Sequence, residues 1–464
     1  MHARVWDNPC LATMDPEKGG DRPKQVRSPE ENEERGRNSI DGRDQGRLRS
    51  ASRAQSQQGD PMIRENSSAL FRSLEEVPPD KILSLVTLYA GDPRQSKIDL
   101  GIGMYRDESG RTPILSSVRT AEERLFHQET TKAYVGPAGD PQFVSVVAGL
   151  LFGDVSSSDR IKGIQTPGGA GALHVLAALL SFSTARTTVW LPVPTWTNHV
   201  SIFESVGMTV RSYPYFDPKL GTVDFGRMME TLGDAAPGDV VLLHGCCHNP
   251  TGADLAPAEW RELCDVISAR GLLPFLDVAY QGFGDDLDQD AYGVRYLASR
   301  VPEMVVAYSC SKNFGIYRER TGAAFVIGET KEQANAAQSH MVQKARVAYS
   351  MPPDHGGSIV RTILTNPVLE KIWKDELTVM RTNIAALRRK LSEAFVGLTG
   401  NDRYSSFGRQ KGMFSLIGIS AEQAYRLRSQ SGIYVVEDGR INVAGLRESQ
   451  IMPFVKEVAK ILKE

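Results

Sequence analysis

Cysteine is scarce in this chain, five residues in 464, too few to build a disulfide framework. No apolar run approaches the roughly 18 residues that a membrane-crossing helix needs. Neither sign of charge dominates: the formal net charge is −2, which excludes a general attraction to nucleic acid or to an anionic membrane. No internal repeat is visible. A length of 464 residues leaves room for about three domains of roughly 150 residues each. These absences describe a soluble, cytoplasmic protein kept reduced.

Large apolar residues are also rare from Asp15 to Pro61, where charges of both signs, Gln, Ser and Gly dominate. Residues 1–61 are expected to be a disordered leader, because they bury too little to offset the entropy of ordering. No apolar core follows the start, so this is no signal peptide. Its acidic residues argue against an organelle transit peptide. Two readings stay open: a true start at Met62, or a genuine disordered tail. Patterned sequence begins just after Met62.

What is present is an alternation of strands and helices. "TTVWLPVP" (187–194), "DVVLLHG" (239–245), "LLPFLDVAY" (272–280), "MVVAYSC" (304–310) and "GAAFVIG" (322–328) read as buried strands. "PAEWRELCDVISARG" reads as a helix with Pro near its start, Cys264 on its apolar pattern and Gly271 as its stop. This predicts an α/β layer with a mainly parallel sheet. The stretch 369–395 is one long amphipathic helical pattern. After it, "GMFSLIG" and "GRINVAG" read as short strands and "ESQIMPFVKEVAKILKE" as a closing helix. That suggests a smaller α+β domain.

"LLHGCCHNPTG" (242–252) resembles a metal knot, with His244, Cys246, Cys247 and His248 in five residues. The two histidines bracket a strand end and a proline turn. On an extended chain they would lie about 13 Å apart at ~3.3 Å per residue, and no further Cys–His pair completes a ligand set. The expectation is therefore no metal. Cys246 and Cys247 are read as small packing residues, and His244 and His248 as hydrogen-bonding groups.

In open α/β sheets the ligand lies beyond the carboxyl ends of the strands. Reading just past each predicted strand gives Thr195-Trp196, then His248-Asn249-Pro250, then Asp277 and Tyr280, then Ser311-Lys312. An aromatic face, an amide, a carboxylate, a phenol and an amine share one rim. A buried Lys and a buried Asp are each costly unless partnered. A cofactor that forms a Schiff base with the lysine and turns a protonated ring nitrogen to the aspartate satisfies both, and pyridoxal phosphate is that cofactor. "QTPGGAGALHVLAALLSF" (165–182) offers a phosphate cradle, a glycine turn opening into a helix N-terminus. Arg320 adds a charged grip. A dinucleotide site is disfavoured, because no acidic residue follows about 20 positions on.

The stretches "SCSKNFGIYRERTG" (309–322), "HGCCHNPTGA" (244–253), "DVAYQGFG" (277–284), "PTWTNHVSIF" (194–203) and "GRINVAG" (439–445) resemble the class I aspartate/aromatic aminotransferases, a pyridoxal-phosphate family of fold type I. The resemblance runs from about Asp80 to the C-terminus. It implies that Lys312 carries the cofactor and shuttles the Cα proton, that Asp277 faces the ring nitrogen, and that Tyr280 and Asn249 face the cofactor O3′. It implies that Trp196 stacks on the ring, that Ser309, Arg320, Gly169 and Ala170 hold the phosphate, and that His199 supports Asp277. Arg440 would grip the substrate α-carboxylate, with Gly103 also on the substrate side. Tyr134 and Arg346 would reach over from a neighbouring subunit, so a homodimer with composite sites is implied. The corresponding division is a small domain of 62–112 plus 380–464 and a large cofactor domain of 113–379. Pro250 is expected to follow a cis peptide bond.

The substrate is less sharply written. Arg346 retains the means to bind a side-chain carboxylate. Against the aspartate-specific pattern this chain has Met104 for Val, Ala133 for Asn, Ala170 for Thr and Met351 for Asn. Thr112 stays aspartate-like and Arg106 stays basic. Lost polar anchors and adaptable methionine suit a bulky apolar side chain. The leading expectation is ping-pong transamination between an aromatic amino acid, with some aspartate, and 2-oxoglutarate. The alternatives are a strict aspartate aminotransferase, a biosynthetic tryptophan or modified-tryptophan aminotransferase, and a decarboxylase or regulator on the same fold. A regulator should carry a DNA-binding domain, and the leader has no helix-turn-helix pattern.

Overall fold

The computed structural model describes residues 71, 74–77, 81–183 and 188–463. The expected disordered leader and Met62 lie outside the described residues. Seven strands form the central sheet: β1 Ile161–Pro167, β2 Thr188–Val193, β3 Thr209–Pro214, β4 Val240–His244, β5 Leu273–Val278, β6 Met304–Ser309 and β7 Thr321–Ile327. Their spatial order is β1-β7-β6-β5-β4-β2-β3. Strands β2 to β6 pair in parallel, and β7 is antiparallel to both its neighbours. The mainly parallel α/β sheet is as expected. Two strands escape the apolar pattern. Edge strand β3 leaves Thr209, Arg211 and Ser212 exposed, and β1 spends Gln165 on loop carbonyl and amide groups rather than on the core.

Both faces of the sheet are buried, which explains the near-continuous apolar runs. Val241, Leu243, Leu276 and Val306 point into one core, and Val240, Leu242, Phe275 and Val305 into the other. Helix α1, Gly168–Ser183, follows β1 without a linker and packs on the second face. A short helix α2, Asn198–Ser205, follows β2. Helix α3, Pro257–Arg270, starts at a proline and ends at Gly271 with φ +63°, the left-handed stop that glycine adopts most readily. It turns Trp260, Leu263, Cys264 and Ile267 into the first core.

Helix α4, Pro367–Thr399, is 33 residues long; Asn366 caps its start by accepting from the Leu369 amide. Its buried stripe runs Leu369, Trp373, Leu377, Met380, Ile384, Leu387, Leu391 and Phe395, at the three-to-four spacing of one helical face. The residues up to Ile384 join the sheet's first core. From Leu387 on, the stripe joins a separate core with Ile98, Leu100, Phe454 and Val458. That second core takes Ile441 from β9, Arg440–Asn442, which pairs antiparallel with β8, Phe414–Leu416, and it takes Phe454, Val455 and Val458 from the closing helix α5, Glu448–Lys463. No helix among the described residues is long and apolar enough to cross a membrane.

Candidate active site

The carboxyl ends of β4, β5 and β6, the start of α1 and the start of β9 surround a cavity of about 340 Å³. Gly103, Gly169, Ala170, Trp196, Asn249, Asp277, Tyr280, Ser309, Lys312, Arg320 and Arg440, all named from sequence, line it. His199 stands behind Asp277. Tyr134 and Arg346 do not reach this cavity; both are exposed, Tyr134 at 92 %.

Lys312 follows β6 and its Nζ lies 4.7 Å from the centre of the Tyr280 ring. Burial pulls its amine down to about 8, helped by Arg320 and opposed by Asp277. A fully buried ammonium is disfavoured, so much more of this lysine is neutral than on a surface. Burial also pushes the Tyr280 phenol up, so it remains a proton donor. At Asp277, burial works to raise the carboxyl, but the His199 hydrogen bond, with the Lys312 amine nearby, outweighs it and holds it below the usual range.

One backbone N–H sets the tautomers behind Asp277. The Asn249 amide donates to His244 Nδ1 at 3.2 Å. Burial holds His244 down to about 3, so the ring is neutral and its proton sits on Nε2. That proton points to Thr195 Oγ1 at 3.3 Å, and Thr195 donates onward to His199 Nδ1 at 2.8 Å. His199 Nε2 then donates to Asp277 Oδ2 at 3.1 Å. Each donor is used once, in one direction, ending on the carboxylate. His244 is hydrogen-bonded, as expected from sequence, but its link to Thr195, 49 positions away, carries no signal in the sequence.

At the other end, Ser309, Ser311 and Arg320 meet the start of α1. Arg320 Nη1 donates to Ser311 Oγ at 3.4 Å; Ser311 stands on the rim read from sequence, which assigns it no role on this side. Gly168 has φ +71°, and a Cβ there would lie 2.5 Å from Arg320 Nη2; one on Gly169 would lie 3.0 Å from Ser309 Cβ. Side chains at the helix start would therefore fill the space where amides, hydroxyls and a guanidinium converge, the donor set of an anion site. The substrate side is built by Arg440, which donates to Asn249 Oδ1 at 3.4 Å and to Gly101 O at 3.0 Å. With Oδ1 so engaged, Asn249 offers its amide nitrogen as donor. The Arg440 guanidinium also lies 4.7 Å from the centre of the Phe414 ring. Phe414 and Tyr317 line the cavity too, and neither stands at a predicted strand end of the large sheet.

The expected 13 Å separation of His244 and His248 is wrong. Their rings stack, with centroids 4.1 Å apart. The chain does not stay extended past β4. Cys247 takes φ +52°, and Asp254 accepts from the Cys247 and His248 amides at 2.7 and 2.8 Å, folding the loop back. The Asn249–Pro250 bond is cis as expected, and Val193–Pro194 is cis as well. Cys246 and Cys247 are buried, and their sulfurs converge with Asp290 within 4.8 Å. That carboxylate already accepts from the Gly282, Gly284 and Asp285 amides, and burial pushes the Cys247 thiol well up. The carboxylate's acceptor positions are taken by these amides and the Cys247 thiol is kept protonated, so the group reads as a packing cluster.

Of the residues that depart from the aspartate-specific pattern, Ala170 lines the cavity. Ala133 is exposed, and Met351 Sδ accepts from the Val135 amide at 3.2 Å. Arg106 pairs with buried Asp99 at 2.5 Å.

The family model "Aminotransferase class I and II" matches residues 95–458. The chain is 44% identical over 392 residues to an aromatic-amino-acid aminotransferase of Paracoccus denitrificans, covering 84% of this chain and all of that one. It is 43% identical over 396 residues to an aspartate aminotransferase of Escherichia coli (strain K12), covering 85% and 100%. The fold matches an aromatic-amino-acid aminotransferase from Burkholderia pseudomallei covalently bound to pyridoxal phosphate, with TM-score 0.82, 38% identity and coverage of 85% and 100%. A neutral-prone lysine, a carboxylate held ionised and an anion cradle in one cavity are the groups pyridoxal phosphate requires, and the chain belongs to the class I and II aminotransferases, pyridoxal-phosphate enzymes of fold type I.

Proposed function

We propose that this aminotransferase exchanges the amino group of an aromatic L-amino acid, and of aspartate, with 2-oxoglutarate by a ping-pong mechanism. The observation that carries the reading is the buried Arg440 set between an amide and the Phe414 ring: a carboxylate grip with an apolar wall beside it. The names of the relatives, aromatic and aspartate, support both substrates.

Ser309, Ser311, Arg320 and the α1 amides would hold the cofactor phosphate, Asp277 its ring nitrogen, Asn249 and Tyr280 its O3′, and Trp196 its ring face. Bound there, pyridoxal phosphate supplies an electron-accepting ring that lowers the cost of removing the substrate Cα proton. Asp277, fixed by the chain from Asn249 through His244, Thr195 and His199, stays charged and keeps a proton on its partner nitrogen. Arg440 fixes the α-carboxylate and so the direction of the Cα–H bond. Lys312 Nζ, neutral in a useful fraction near pH 7, takes the Cα proton and returns it.

The site is completed by a second copy of the chain. Tyr134 and Arg346 are exposed and outside the cavity of their own chain, beside exposed Val135 and Val347, which suits a homodimer in which each subunit lends them to the other. The separate cores on either side of Ile384 and Leu387 support a small domain of 62–112 with 380–464 and a large one of 113–379. Free Cys246, Cys247, Cys264 and Cys310 support a cytoplasmic setting.

Comparing kcat/KM for Phe, Tyr, Trp and Asp with 2-oxoglutarate tests the substrate. A preference for Asp over Phe by orders of magnitude returns the strict aspartate enzyme. Glutamate added to the loaded enzyme should change the cofactor's absorption, and an unchanged spectrum would rule out transamination. Sedimentation as a monomer would refute the composite site.

A further inference from the structure

Gly103, which lines the cavity together with Arg440, lies in a stretch of chain that belongs to no strand or helix, residues 101–104. Its outer anchors are conventional: the Asn442 amide donates to Leu100 O at 2.8 Å, and the Arg106 amide to Ala444 O at 2.9 Å. Between them the chain makes a tight turn, closed by the Met104 amide on Ile102 O at 2.9 Å. At the tip sits Gly103, where a Cβ would lie 2.6 Å from the Phe414 ring. The turn thus meets the Phe414 ring too closely for any side chain at position 103.

Arg440 and Asn442 are two apart on β9, so their side chains leave the same face of the strand. Arg440 holds one end of the turn through Gly101 O. Asn442 holds the turn itself. Its Nδ2 donates to Ile102 O at 2.6 Å and to Met104 O at 2.7 Å, spending both amide hydrogens on the two carbonyls that flank Gly103. The residue is 1% exposed, so bulk water does not compete for these carbonyls. An aspartate of the same shape has no hydrogen to offer, a leucine has none, and a serine has one.

We infer that Asn442 is a positioning residue for substrate: it fixes the Ile102–Met104 wall relative to Arg440, so that the carboxylate grip and the surface facing the substrate are set by one strand. This rests on the reading of the cavity as the amino-acid site. Asn442 does not line the cavity, so its action passes through the turn and not through the cofactor.

The test uses the loaded enzyme with Asn442→Asp, Asn442→Leu and Asn442→Ser. The loss of two hydrogen bonds to buried carbonyls should raise KM for the amino acid on the order of tenfold or more. We expect kcat to change by less than about threefold and the cofactor's absorption and its pH titration to stay unchanged. Asn442→Ser, which keeps one donor, should fall between wild type and Asn442→Leu. If Asn442→Leu does not fold, the serine variant carries the test. A KM within twofold of wild type in the serine and leucine variants overturns the inference. So does a loss confined to kcat or to cofactor binding. The ratio of variant to wild type is taken with phenylalanine and with aspartate. The wild-type panel then judges the proposed substrate, and the ratios judge Asn442 separately.

Discussion

The buried Lys312 amine makes a pH prediction with a definite size. Burial lowers it from 10.5 to about 8. At pH 7 the neutral fraction then rises from roughly one in 3,000 to about one in ten, a gain of about 300-fold. Only the neutral amine attacks an aldehyde. Mixed with pyridoxal phosphate, the cofactor-free enzyme should therefore bind it covalently at a rate that climbs up to about pH 8 and then levels. Asp277 favours the ammonium form, so Asp277→Asn should move the whole profile to lower pH. The same shift has a thermodynamic face. The folded state holds this proton less tightly than the unfolded chain, so the cofactor-free protein gains stability as pH rises from about 8 to 10.5. Lys312→Met removes the group, and should stabilise the cofactor-free protein at pH 7 by up to about 3 kcal/mol, an advantage that shrinks above pH 8. Denaturant titrations at pH 7 and pH 10 measure it. A covalent uptake rate that still climbs tenfold per unit at pH 10, or a Lys312→Met difference independent of pH, would refute the reasoning.

Other changes have expected outcomes. Arg388, 2% exposed, donates to the carbonyls of Phe407, Lys411, Gly412 and Phe414 and to Ser415; Arg388→Met should cost about 3 kcal/mol or more, read in a urea melt. Gly168→Ala forces a side chain at φ +71° against Arg320, and should raise the cofactor dissociation constant on the order of tenfold, read by cofactor titration. His199→Phe removes the hydrogen bond that offsets the burial of Asp277. Its carboxyl then moves up, so the acid limb of the kcat/KM profile shifts to higher pH; an unmoved limb would dismiss the role of His199.

What can be read from the chain depends on distance along it. Buried parallel strands announce themselves because both faces are apolar, and their ends deliver Trp196, Asn249, Asp277 and Lys312 without any knowledge of contacts. Strand β1 does not announce itself, since Gln165 is committed to loop groups. The tautomer chain is equally silent: it joins Thr195 to His244, which only pairing of β2 with β4 brings together. The stacked His244 and His248 depend on a non-glycine residue at positive φ, Cys247, a choice made by Asp254 six and seven residues on. Phe414 enters the cavity from a short strand outside the large sheet, and no local pattern marks it.

Helix α4 belongs to both cores, and the change of allegiance between Ile384 and Leu387 takes less than one helical turn. Neither core can lose its order without baring part of a stripe that the other half of the same rod continues. Residues 81–463 should accordingly melt as one cooperative unit, and a chain cut between 384 and 387 should leave two insoluble pieces instead of two small folded proteins.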